Sequence, residues 1–419
     1  MKVTKIIQKI TSHALARDSA IVFAGSMVAN VGAYIYHLLM GRLLGPSGYG
    51  ELSSLMSILY IFTVPLIVGQ TVLVKIISGY KARGEVGQAK FLHVWLTKKA
   101  LLACIIAIPF AALLTPLVTS FLQLSSNTSF FLVFVLLTIS LLTAIATSLL
   151  QGYQNFIWYS ILTSGVIIMK VVFTIPLVHW GITGVLAGAI LSAVVIYTLY
   201  AIPLQFVLKT VAKHAVLSRN ETYGYAYPTF FTILGLTSIY STDIILVRHF
   251  FSAGDSGVYA ALAILGKIIY YASSSVVLVL FPVLSERTAK GISGHTLIRS
   301  GILAVSVLSI AITVIYFLFP NAIIGLLFGR SYHNAGPFLG LFAVFITFYS
   351  IAAIIINSCL AIGKTGIWRI VTACTIFQII AIVVLHGSLY IIIAINIGIA
   401  VLLTTGSVFY YSTQRYEKI

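Results

Sequence analysis

Five residues of this chain could do chemistry because of where they fall: Lys170 and Lys267 inside long apolar runs, Asp243 inside another with Arg248 at its end, and Arg42 at the end of a fourth. A lysine at the centre of a membrane helix costs roughly 2.5 to 3.5 kcal/mol on insertion scales, so it faces a wet cavity, finds a partner or snorkels to the interface. Lys170 lies about thirteen residues into its run, roughly 20 Å of helical rise, and Lys267 lies about ten residues from the outer end of its own. Both are placed near midplane. Two ammonium groups there could compensate a phosphate or diphosphate, whose charge cannot enter hydrocarbon unpaired; a structural pair with a carboxylate is the alternative. Asp243 needs a partner or a proton, with Lys267 and Arg248 as candidate partners. It reads either as a neutralising ion pair or as a carboxylate that couples to protons or sodium. Arg42 and Arg248 end the first and seventh runs, and an arginine fork suits phosphate because it donates two parallel hydrogen bonds. Anchoring at the headgroups is the other reading of a helix-end arginine.

The elements that must position these residues are membrane helices. Of 419 residues, 60% are hydrophobic and 8% charged, against roughly 25% charged in soluble domains. Twelve apolar runs of bilayer-spanning length begin near residues 20, 52, 100, 130, 157, 183, 225, 257, 299, 337, 368 and 389. The expected fold class is an all-α polytopic membrane protein. The run from Ala20 to Met40 is too long for a signal-peptide core and no cleavage site follows it, so it should be retained. Before it, MKVTKIIQKI sets Lys2, Lys5 and Lys9 apart from Ile6, Ile7 and Ile10, as an interfacial helix or a frayed basic tail. Cys104, Cys359 and Cys374 all fall in apolar runs, which reads as no disulfide and no metal.

The formal charge of +17 comes from short loops between runs rather than from a stripe that tracks phosphates, so nucleic acid is excluded as a partner. Placing both termini in the cytoplasm puts 20 of the 25 Lys and Arg on that side and leaves Arg42, Arg248 and Arg330 near the outside. The excess of basic loops fixes that orientation. The longest cytoplasmic link, KTVAKHAVLSRNETYGY, divides the chain almost in half, giving six-helix lobes over 1–208 and 209–419. A weak internal repeat agrees. MGRLLGPSGYGELSSLMSI (Met40 to Ile58) and LVRHFFSAGDSGVYAALAIL (Leu246 to Leu265) both run from an Arg through a Ser-Gly turn to a Tyr and an apolar helix. Pro228, in YGYAYPTFF, is the proline expected to act as a hinge; Tyr223, Tyr225 and Tyr227 beside it read as an interfacial belt or as a surface for stacking on sugar.

At these segments the chain resembles the polysaccharide-unit (O-antigen, lipid-linked oligosaccharide) flippases of the multidrug, oligosaccharidyl-lipid and polysaccharide exporter superfamily. The resemblance rests on GRLLGPSGYGELSSL (Gly41 to Leu55), on Asp243 through Val258-Tyr259-Ala260, on Phe281-Pro282-Val283-Leu284, on LLFGRSYHNAGPFLGLF (Leu326 to Phe342) and on Leu360-Ala361-Ile362-Gly363-Lys364. It implies two six-helix lobes around a central cleft that opens alternately to either side of the cytoplasmic membrane. The implied activity is transport in polysaccharide biosynthesis: flipping a polyprenyl-diphosphate-linked oligosaccharide across the bilayer, with Lys170, Lys267, Arg42 and Arg248 toward substrate and Asp243 toward a coupling ion. No cofactor is expected, and a glycan synthase or polymerase partner is left open. A lipid II flippase shares the basic cleft, although typical members have more than twelve helices. A drug exporter would be expected to line its cleft with acids. A polymerase or ligase would be expected to carry catalytic residues in a long outer loop, whereas the outer loops here are short and no carboxylate pair, P-loop or nucleophile elbow occurs. The chain is therefore read as a non-enzyme.

Overall fold

A computed structural model describes residues 2–214, 223–289 and 295–416; Arg219 and Lys290, and the side chains of Lys2, Lys5, Lys9, Arg17, Tyr223, Tyr225 and Pro282, lie outside what it describes. The described residues are almost wholly helical, because a backbone in hydrocarbon has no water to satisfy it and must close its hydrogen bonds within the segment. The elements are α1 (Lys2–Ala82), α2 (Val86–Phe121), α3 (Asn127–Gly152), α4 (Phe156–Leu177), α5 (Gly181–Leu199), α6 (Gln205–Leu208), α7 (Tyr223–Ile239), α8 (Thr242–Phe250), α9 (Ala253–Ala289), α10 (His295–Leu318), α11 (Pro320–Leu327), α12 (Gly336–Ala361), α13 (Trp368–Val384) and α14 (Leu389–Tyr416).

Ten stretches among the described residues are long and apolar enough to cross a bilayer. Two of them are long enough to cross twice and hold a break. The stretch Ala20–Ala82 has 63 residues, which at 1.5 Å per residue is about 95 Å, enough for three bilayers. It is interrupted at Gly45, whose φ of 66° and ψ of 178° leave the helical region in a way that the absence of a Cβ permits. The stretch Phe156–Leu199 is broken by a 3₁₀ turn at Val178–Trp180 followed by Gly181 at φ 67°. Counting each as two spans gives twelve, and Leu113 and Leu117 of α2 are among the large apolar side chains left on the surface for lipid.

The chain forms two compact units. The first comprises Met1–His37, Pro65–Ser120 and Leu124–Ser218. Its core joins Ile77, Tyr80, Leu92, Leu149, Leu162 and Tyr200, with the Tyr200 hydroxyl 2.8 Å from Thr147 Oγ1. The second comprises Leu38–Val64, Phe121–Gln123 and Arg219–Ile419, and α12 lies at its heart with Phe342, Phe345 and Tyr349 fully buried.

Each unit repeats one device for joining helices, in which a polar side chain bonds the carbonyl of a close neighbour. In the first, Ser160 and Ser164 of α4 donate to the carbonyls of Ile21 and Gly25 of α1, both 139 residues away. In the second, Thr375 and Gln378 of α13 donate to the carbonyls of Gly235 and Ile239 of α7, at separations of 140 and 139. Two spans in equivalent places of each half thus meet in the same register.

Candidate functional site

The seventh span is not one helix. α7 carries Pro228 within it and stops at Ile239; α8 restarts at Thr242, with Ser241 at φ −125° and ψ −38°. The residues at the restart, Ser241-Thr242-Asp243, are of the kinds that accept hydrogen bonds from the free N–H groups at a helix start. Asp243 does so, its Oδ1 accepting from the Ile244 N–H at 2.8 Å. Its Oδ2 accepts from the Tyr259 hydroxyl of α9 at 2.6 Å and from Asn396 Nδ2 of α14 at 3.2 Å. Asn396 Nδ2 also donates to Tyr259 at 2.7 Å, and its Oδ1 accepts from Gln378 Nε2 at 2.7 Å, the same amide that holds the Ile239 carbonyl. Asp243, Tyr259, Gln378 and Asn396 are all buried. Four side chains from α8, α9, α13 and α14 therefore converge on the gap in the seventh span.

The side chains that hydrogen-bond Asp243 are these neutral ones, while Lys267, one of its two candidate partners, acts on it through charge. Donors from a phenol and an amide can hold a buried carboxylate without a cation in contact. Two oxygen atoms on residues of the helix gap and of this network, Ser241 Oγ and Gln378 Oε1, are buried and lack a hydrogen-bond partner among the described residues. A carboxylate with further oxygen atoms suits a hard cation or a proton.

Lys267 of α9 is 6% exposed, and its ammonium lies 5.2 Å from the ring centre of Tyr60 and 5.1 Å from that of Tyr240, the residue at the helix gap. Tyr240 in turn packs with Tyr270 and Tyr349, at 6.0 and 5.9 Å between ring centres. Lys170 belongs to the first unit, where its ammonium sits 4.0 Å from the centre of the buried Tyr36 ring. Aromatic faces attract a desolvated cation by about 2 kcal/mol or more, enough to offset much of the insertion cost of each lysine. Of the five residues singled out from sequence, Lys267, Asp243, Arg42 and Arg248 fall in the second unit.

Both arginines are engaged by backbone. Arg248 is 3% exposed; its Nε donates to the Leu122 carbonyl at 2.8 Å, its Nη2 to the Gln123 carbonyl at 2.7 Å and its Nη1 to Ser256 Oγ at 3.2 Å, with Glu51 Oε2 3.7 Å from Nη2. Arg42, which is exposed, donates from Nε to the Leu327 carbonyl at 2.9 Å and from Nη2 to the Leu326 carbonyl. The pattern is reciprocal. The arginine ending the first span holds the close of α11, between the ninth and tenth spans, and the arginine ending the seventh holds the loop between the third and fourth. The two segments of the repeat, whose Ser-Gly pairs lie within helix rather than in turns, pack on each other: a Cβ on Gly50 would stand 2.5 Å from Ser256 Oγ, and one on Gly257 would overlap the Pro46 carbonyl. The Tyr332 hydroxyl donates to the Gly41 carbonyl at 2.7 Å, bringing two of the segments that carry the family resemblance together.

No family model matches this chain, and no curated protein matches it either. Solved structures do. The lipid II flippase MurJ in an inward closed conformation is similar with a TM-score of 0.71 at 15% identity, covering 94% of this chain and 87% of the flippase. A mutant of the Vibrio cholerae MATE transporter VcmN gives 0.69 at 14% identity over 98% of this chain and 99% of its own. The MATE multidrug transporter DinF-BH gives 0.68 at 14% identity, covering 94% of this chain and 96% of the transporter. At such identities the likeness concerns the fold, and the conclusion is that this multi-pass helical chain shares the fold of a lipid flippase and of multidrug transporters of the MOP superfamily.

Proposed function

We propose that this protein is a flippase that carries a polyprenyl-diphosphate-linked oligosaccharide from the inner to the outer leaflet of the cytoplasmic membrane. The observation that carries the reading is the pair of lysines within apolar spans, Lys170 on the ring of Tyr36 and Lys267 between the rings of Tyr60 and Tyr240. Cations so placed favour an anionic headgroup and disfavour a cationic drug, and the tyrosines offer faces on which sugar rings can lie. Transport runs by alternating access between lobes 1–208 and 209–419, with both termini in the cytoplasm. Asp243 is the coupling residue, and Ser241, Tyr259, Gln378 and Asn396 complete a site for a proton or sodium ion. Arg42 and Arg248 we assign to closing the outer side through loop carbonyls rather than to the diphosphate.

Purified protein in liposomes with a fluorescent lipid-linked sugar tests the reading. Wild type flips the lipid-linked sugar, and the Lys170→Ala/Lys267→Ala double variant loses that activity while reaching the membrane. Full transport by the double variant, or export of a cationic dye in preference to the lipid, would overturn it; the dye result favours the exporter. Orientation is tested separately, in a cysteine-free background. Cysteines at Ser125 and Asn334 label with an impermeant reagent from outside, and one at Gly291 does not.

A further inference from the structure

At the end of the first unit that carries Lys75, Lys81 and Arg83, the second span and the junction of α3 with α4 line an open cavity of about 520 Å³, within the size range of small-molecule sites. Its polar lining is Gln70, Thr71, Ser78, Gln151 and Gln154, with Phe156 beside them, and these side chains are all neutral. Three of the nine glutamines in the sequence are gathered here. Polar side chains within spans are costly and concentrate where a substrate passes.

The amides are pre-arranged. Gln70 Nε2 donates to Gln151 Oε1 at 3.0 Å, and Ser78 Oγ to the Gly152 carbonyl at 3.2 Å. Lys81 Nζ donates to Gln154 Oε1 at 2.7 Å and to the Tyr153 carbonyl at 2.9 Å, so its hydrogen bonds hold the Gln154 amide in place; Lys81 is not itself among the lining residues. Gln154 holds φ 59°, a left-handed conformation that residues other than glycine rarely adopt, and its N–H bonds the Gln151 carbonyl at 2.9 Å. Gln70 and Gln151 are half-buried, while Thr71 and Gln154 are exposed, so the amides can be reached.

We infer that this cavity is a subsite for an uncharged sugar of the lipid-linked glycan on the entry side of the carrier. A cavity lined by neutral groups gives no compensation to a diphosphate and no counter-charge to a cation. Amides and hydroxyls both donate and accept, as neighbouring sugar hydroxyls do, and the Phe156 ring offers an apolar surface to the C–H face of a pyranose. The inference rests on the flippase reading. It adds that sugar and diphosphate are recognised by different residues.

The test measures binding of the full-length protein to undecaprenyl diphosphate bearing N-acetylglucosamine, glucose or galactose, and to bare undecaprenyl diphosphate. Wild type should prefer at least one sugar-bearing lipid over the bare lipid by about tenfold, as two or so net hydrogen bonds would give. Gln70→Leu/Gln151→Leu should abolish that preference and leave affinity for the bare lipid unchanged. Gln154→Leu, on an exposed side chain, should reduce the preference by about threefold, as one weaker bond would give, and guards against misfolding of the double variant. Retained preference in folded double variant, an absent preference in wild type, or a parallel fall in bare-lipid affinity would each overturn the subsite. If wild type binds neither kind of lipid the flippase reading falls with it, whereas binding of the bare lipid that depends on Lys170 and Lys267 without a sugar preference removes the subsite alone.

Discussion

The two lysines that interrupt the apolar runs have different neighbourhoods. Lys170 is half-buried against a single tyrosine, Tyr36, and no carboxylate among the described residues acts on it. Lys267 is almost fully enclosed, lies between Tyr60 and Tyr240, and feels the charge of Asp243 behind the hydrogen bonds that cage it. One side chain thus has two electrostatic situations. An uncompensated cation gains most when an anion arrives, so Lys170 is the stronger candidate to meet a diphosphate. A cation already balanced by a carboxylate transmits the arrival of an anion, because whatever draws its field away leaves Asp243 readier to take up a proton or a sodium ion. In the proposed transport cycle this difference would separate holding the substrate from sensing it.

The largest effect expected from this contrast lies in Asp243. Asp243→Asn keeps the shape of the cage and should abolish stimulation of flipping by an imposed proton or sodium gradient, while downhill flipping and substrate binding persist. Gradient-stimulated flipping by a well-folded Asn variant would remove Asp243 from coupling. Next in size, Lys170→Ala should lower the initial flipping rate by about tenfold or more, since one strong charge-assisted contact is worth roughly 1.5 to 3 kcal/mol, and Lys170→Arg should recover part of it. Lys267→Ala should act on the gradient dependence more than on affinity for the lipid. Identical phenotypes for the two alanine variants would erase the distinction drawn here. The smallest effects on transport are expected at the outer arginines, where the change is in stability. Arg248→Ala removes a buried guanidinium beside Glu51 and takes the side-chain donor from two loop carbonyls, and it should destabilise by about 3 to 5 kcal/mol. Arg42→Ala, at an exposed site, should cost about 1 kcal/mol. Thermal unfolding in detergent measures both, and equal losses would contradict the difference in burial.

Much of this architecture is legible in the residues. Apolar length marks the spans, so twelve runs match twelve spans once the breaks at Gly45 and Gly181 are counted. An ionisable side chain in such a run stands out, which is how Lys170, Lys267 and Asp243 can be named. The tyrosines beneath the lysines are not legible, because tyrosine is common in membrane proteins as an interfacial residue and nothing in spacing tells Tyr60 or Tyr240 from a belt. Gln378 and Asn396 do carry a signal, missing from the residues singled out above: each is a lone amide in an apolar run, TIFQIIAI and IIAINIGI, where an amide is expensive unless it has work. The break before Asp243 is signalled too, by three consecutive capping-type residues, while α7 continues through Pro228, the expected hinge. For the arginines, spacing fixes their equivalence but not their partners, because a loop carbonyl leaves no trace in sequence.

The reciprocal hold of Arg42 and Arg248 has a consequence for the order of biosynthesis. The second unit is not made from the second half of the chain alone, since Leu38–Val64 and Phe121–Gln123 are built into it, and Tyr49, Leu52 and Leu55 are buried there. These stretches leave the ribosome early, yet the groups they bond, from Arg248 and Ser256 to Leu326 and Tyr332, are synthesised much later. The emerging protein must therefore keep the outer parts of its first spans waiting, inserted but unfinished, until translation has reached the tenth span.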